Sequence, residues 1–72
     1  MDWSSIGRNI RYYRLEQDLR QEDLAEAIGL TGNYIGMVER GEKIPSLETL
    51  VAILNALHIS ADMVLTDDNF AT

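Results

Sequence analysis

Apolar residues in this chain recur every three or four positions rather than every second one, which places them on one side of a helix. Trp3, Ile6, Ile10 and Tyr13 form such a stripe over roughly residues 3–17, the first predicted helix. Leu24, Ala25 and Ile28 share a face of a second helix, Glu22 to Ile28, and Gly29 follows where a left-handed residue ends a helix. Thr31 is a suitable N-cap for a third helix that turns Ile35 and Val38 inward and is ended by Gly41. Pro45-Ser46 then opens a fourth, whose Leu47, Leu50, Val51, Leu54 and Leu57 give the strongest amphipathic signal and are predicted to face the core. Ser60 caps a short fifth segment holding Met63, Val64 and Leu65. No stretch alternates with period two for long enough to make a strand, so the predicted fold class is all-α, a compact five-helix bundle.

Length sharpens this picture. A chain of 72 residues makes one small domain, and at that size only about 60% of the unfolded surface is buried. There is no cysteine, and the single His58 cannot assemble a zinc site alone, so stability must come from packing and no metal or other cofactor is expected. No apolar run approaches the roughly 18 residues of a membrane span, and MDWSSIGRN lacks the basic start and apolar stretch of a signal peptide. A reduced, cytoplasmic setting without a membrane partner is expected. No nucleophile–base pair, paired carboxylates or phosphate-cradling glycine loop is present in plausible spacing, so the chain is not expected to be an enzyme or to hold a small molecule.

The net charge of −6 argues against a nucleic-acid partner when read globally, because binding to the phosphate backbone is strongly electrostatic. Its distribution changes that reading. Residues 1–20 hold four arginines against three carboxylates, residues 21–48 hold two bases against six acids, and residues 49–72 have three acids and no Lys or Arg. An anion-facing surface must therefore combine the first helix with Arg40 and Lys43.

Helices two and three are joined by only Gly29, Leu30 and Thr31. Two helices linked by a 3–4-residue turn containing glycine fit the helix-turn-helix, whose second helix enters a DNA major groove; a plain helical hairpin satisfies the same spacing. The residues Ile6-Gly7, Ile10-Arg11, Arg14, Gln21-Glu22-Asp23-Leu24-Ala25, Gly29, Tyr34-Ile35, Glu39-Arg40-Gly41, Pro45-Ser46-Leu47-Glu48-Thr49-Leu50 and Ile59-Ser60 add a second argument. In this register the chain resembles the Cro and lambda-repressor type of helix-turn-helix family, also called the XRE family, over residues 6–65.

The resemblance implies a DNA-binding domain over residues 6–65 with its helix-turn-helix at about 21–40, followed by a tail at 66–72. The implied function is a bacterial or phage transcriptional regulator, expected to repress, that binds double-stranded DNA as a two-fold homodimer in the bacterial cytoplasm or nucleoid. An antirepressor-like or other protein-interaction module on the same fold is the alternative. Carried over by position, Thr31, Gly32, Asn33, Gly36 and Met37 fall where the family presents groups to base edges. Asparagine can pair bidentately with adenine and methionine offers apolar contact, so Asn33 is the foremost residue for direct readout. Gln21, Tyr34, Arg40, Lys43 and Arg11 are expected at the phosphate backbone, which fixes register. Arg14 and Glu39 match a structural ion pair, and Met63, Val64, Leu65 and Phe70 are the expected self-association surface, the first three fitting equally well as residues that close the core.

Some positions depart from the family pattern. Arg20 stands at the N-cap of helix two and cannot accept the free amides there, so it is expected to trade cap strength for a phosphate. Asp18 and His58 stand where glycine commonly ends helices one and four. Gly32 and Gly36 contribute no side chain, which predicts modest specificity or reliance on DNA shape.

Overall fold

The computed structural model describes residues 2–66 of the chain. Five helices follow one another: α1 (Trp3–Glu16), α2 (Gln21–Ile28), α3 (Gly32–Glu39), α4 (Leu47–Leu57) and α5 (Ala61–Val64), with no strand among the described residues. Side-chain caps set three of the starts: Asp2 Oδ1 accepts from the Ser5 amide at 2.8 Å, Thr31 Oγ1 from Tyr34 at 3.2 Å and Ser46 Oγ from Thr49 at 3.1 Å. Each satisfies an amide that has no partner inside the helix. Left-handed residues set three of the turns that follow: Gly29 at φ 73°, and Asp18 and His58 both at φ 57°. Asp18 and His58 thus do the work of the glycines they replace.

The core is Ile6, Ile10, Leu24, Ala25, Ile35, Val38, Leu50, Ile53, Leu54, Leu57 and Val64, all buried. Helix α3 lies between α1 and α2, α4 closes over α2, and α5 returns to α1. Gly7 lets α1 come down on the Val38 and Glu39 carbonyls, where any side chain would collide with backbone. Asn9, buried in α1, fixes the far end by donating to the carbonyls of Val64 at 2.8 Å and Thr66 at 2.9 Å.

Two expectations about the core are corrected. Leu47 is 78% exposed and Val51 45%, so only Leu50, Leu54 and Leu57 of the predicted α4 stripe point inward, joined by Ile53. The stripe follows the 50/53/54/57 rows because α4 meets the bundle on that side, and apolar spacing fits both alignments. Val64 is fully buried and so closes the core instead of offering a surface; Phe70 lies outside the described residues.

Candidate nucleic-acid interface

Three residues, Gly29 to Thr31, separate α2 from α3, and the Thr31 cap starts α3 at once. Ile35 and Val38 face inward, so Asn33, Met37 and Arg40 are left on the outer side. Asn33 is exposed and donates from Nδ2 to Met37 Sδ at 3.6 Å, one turn on. Tyr34 is half-buried and packs against the core, and Thr31 spends its hydroxyl on the cap.

The inner side of α3 is fixed by a charged cluster. Arg14 grips Glu39 through both carboxylate oxygens, Nε to Oε2 at 2.6 Å and Nη2 to Oε1 at 3.0 Å, and Nη1 also donates to the Leu19 carbonyl at 2.7 Å. Both residues are buried, at 5% and 4% exposure. Gln21 adds its amide to Glu39 Oε1 at 3.1 Å, tying the start of α2 to the end of α3. The Arg14–Glu39 pair expected from the sequence is therefore present, and Gln21 braces α3 through it.

The two glycines have a structural reason. A side-chain carbon at Gly36 would stand 3.1 Å from Arg40 Nη1 and 3.2 Å from Gln21 Oε1, and one at Gly32 would stand 3.1 Å from Glu22 Cγ. They let the first turn of α2 and its side chains cross α3 closely. Gly36 is accordingly buried under Gln21 and Arg40, which corrects its expected place among the open base-facing positions. Glu22 lays its side chain against Gly32 at the start of α3.

Charge on the outer side is largely neutralised. Arg40 donates to Glu42 at 3.0 and 3.2 Å, with both side chains more than half exposed. Arg20 donates to Asp23 at 3.2 and 3.1 Å, and Asp23 Oδ2 accepts from the Arg20 amide at 2.8 Å. Asp23 thereby reaches back from the first turn of α2 to the N-cap amide, the acidic half of a capping box, which the sequence reading did not include. These contacts hold the Asp23 and Glu42 carboxyls below their ordinary range, chiefly by the arginine hydrogen bonds, and push both guanidinium groups up. Lys43 is exposed with no ion pair among the described residues. Arg11 lines a depression on α1 with Arg8, Tyr12, Leu15 and Glu16.

A cap-started α3, braced from within and presenting a short polar stripe outward, defines a helix-turn-helix DNA-binding domain. A family model described as Helix-turn-helix matches residues 10–64. The chain belongs to this family, of the Cro and lambda-repressor type, whose members are DNA-binding transcriptional regulators. It is 44% identical over 61 residues to control protein C.SmaI of Serratia marcescens, covering 85% of this chain and 73% of that one. It is 34% identical over 64 residues to the immunity repressor protein of Bacillus phage phi105, covering 89% of this chain and 44% of the repressor. Among solved structures, the restriction-modification controller protein C.AhdI from Aeromonas hydrophila superposes with a TM-score of 0.84 at 34% identity, over 89% of this chain and 93% of that one. The clp gene regulator ClgR from C. glutamicum superposes at 0.81 with 30% identity, over 86% and 81%.

No helix among the described residues is long and apolar enough to cross a membrane, and no group of three or more His, Asp or Glu among them is placed to hold a metal ion.

Proposed function

We propose that this chain is a sequence-specific repressor that lays α3 in the major groove and binds DNA as a two-fold dimer in the bacterial cytoplasm or nucleoid. The observation that carries this reading is the pairing of a rigid inner side of α3, held by Arg14, Glu39 and Gln21, with an outer side where exposed Asn33 stands beside half-buried Met37. In this reading Asn33 reads a base edge, Met37 and Thr31 add apolar contact, and Gly32 lets the backbone approach the groove. Gln21, Tyr34, Arg40 and Lys43 meet phosphates and set register.

For the dimer, Met63 and Leu65 keep partly open apolar surface. A larger share is offered by the exposed apolar side chains of Ile44, at 62% exposure, Leu47 and Val51 around the start of α4, in a chain of net charge −6. Like-charged copies approach most readily where neither carries charge, and two-fold dimers set recognition helices about 34 Å apart. Leu47→Asp is expected to shift sedimenting species toward monomer while leaving helicity intact; an unchanged species distribution rules out this face.

Selection from randomised duplexes, followed by titration of the wild type and Asn33→Ala at two salt concentrations, tests the whole reading. An enriched sequence that Asn33→Ala ceases to prefer supports it, with a salt slope of roughly −3 per monomer for three or four phosphate contacts. A second reading, a protein-interaction module, is favoured by the carboxylate partners already held by Arg20 and Arg40. Failure to bind any duplex at low salt selects that reading.

A further inference from the structure

Five of the six cations of this chain are arginines, and they fall into two groups. Arg14, Arg20 and Arg40 each hold a carboxylate, whereas Arg8 and Arg11 form no ion pair among the described residues. In a chain with twice as many acids as bases, two arginines one helical turn apart with no acid drawn to them form a distinct surface. They line a depression of about 400 Å³ on α1 together with Tyr12, Leu15 and Glu16. Tyr12 and Leu15 are 41% and 46% exposed, and the Tyr12 ring is set edge-on against Tyr13 with centroids 5.2 Å apart. The spacing 8, 11, 12, 15 is the i, i+3, i+4, i+7 pattern of one helix face, here turned outward rather than into the core.

We propose that this face of α1 docks an acidic segment of another protein, with carboxylates at Arg8 and Arg11 and an apolar side chain seated between Tyr12 and Leu15. Charge complementarity selects the acid, because these two cations form no ion pair among the described residues of an anionic chain, and the apolar walls require an anchor that charge alone does not use. A nucleic-acid backbone fits less well. It brings nothing apolar for Tyr12 and Leu15. A second copy of this chain fits less well too, since it would bring two arginines and only one carboxylate from the same face, a like-signed surface.

Position favours a role alongside DNA binding. Gly7 and Arg14 turn toward α3 and hold its inner side, and Tyr12 and Leu15 lie around the helix from them, so the apolar part of the depression is turned off the α3 side. A regulator seated on DNA through α3 thus keeps this face open for a partner. The proposal rests on α1 alone and survives if α3 proves not to read sequence.

The test is titration of the isotope-labelled full chain with acetyl-Asp-Asp-Leu-Asp-Asp-Phe-Glu-Leu-amide, following backbone amide shifts. A control peptide carries Ser in place of Leu and Phe. The expected result is saturable shifts at Arg8, Arg11, Tyr12 and Leu15, about tenfold weaker binding of the control, and at least about tenfold weakening by Arg8→Glu or Leu15→Ser. Leu15→Ser should keep the wild-type circular dichroism spectrum and duplex affinity. Absence of shifts at millimolar peptide, equal binding of the control, or shifts centred on α3 overturns the proposal. So does duplex DNA shifting these residues in place of the peptide, or self-association that Leu15→Ser removes.

Discussion

Residues 39 and 40 are neighbours in the chain, yet their ion pairs belong to different solvents. Glu39 turns inward to Arg14 at 2.6 Å with both side chains almost wholly buried, while Arg40 turns outward to Glu42 at 3.0 Å with both more than half exposed. The distances are similar and the consequences are not. A buried pair has already lost its water, so removing one partner strands a charge in the interior. An exposed pair gives up little when it opens, because water and salt replace the partner. The inner pair is therefore a fastening that positions α3, and the outer pair is a cover that a phosphate can displace.

The strongest way to break that contrast is Glu39→Ala. It should destabilise the domain by about 3–5 kcal/mol, read by chemical denaturation, and abolish DNA binding only through loss of the fold. If the denaturation midpoint moves no more than for an exposed substitution, the inner pair is not the fastening described. Arg40→Glu should do the reverse, leaving the midpoint in place while duplex affinity at low salt falls by at least about tenfold, since a phosphate contact becomes a repulsion. A variant that binds duplex as well as wild type removes Arg40 from the interface.

Asn33→Ala sharpens the outer face further. It should relax preference at one base position by about 1–3 kcal/mol, seen as flattened selectivity across single-substituted duplexes and not as uniform weakening. The smallest effect is expected from Glu42→Gln, which leaves Arg40 without a carboxylate to give up; affinity should rise by about twofold to fivefold. Acidification mimics this variant only well below the ordinary carboxylate range. Glu42 is held low by Arg40, so the pair is intact above the unfolded value and is lost only as pH falls through the lower folded one. Affinity that rises before pH reaches the ordinary carboxylate range counts against this assignment.

Much of the architecture was legible in the chain because its signals are local. Thr31 and Ser46 begin helices where a hydroxyl meets a free amide, and Gly29 ends one where the backbone must turn left-handed. Helix α4 shows where local signals fail. Leu47 and Val51 have the same spacing and hydropathy as Leu50 and Leu54, yet 78% and 45% of their surfaces are exposed. Which rows meet the bundle is decided by where α2 lies, and α2 is distant in sequence.

The site divides along the same line. The family pattern anticipated the Arg14–Glu39 pair by register alone, and helix periodicity anticipated that Asn33 and Arg40 stand on the outer side of α3, because each sits at a fixed offset within a helix or cap. It was silent about partners that depend on side-chain direction: Glu42 over Arg40, Asp23 reaching back to the Arg20 amide, and Gln21 and Arg40 over Gly36. The glycines illustrate the division. Composition marks Gly32 and Gly36 as costly in a helix, by roughly 1 kcal/mol each, but only the crossing of α2 over α3 gives the reason they are there. The sequence by itself determined the order of helices, their caps and the family, since those follow from neighbours within a few residues. The tertiary structure alone decided which charges are buried, which are covered and which stand open, because burial is set by elements brought together from across the chain.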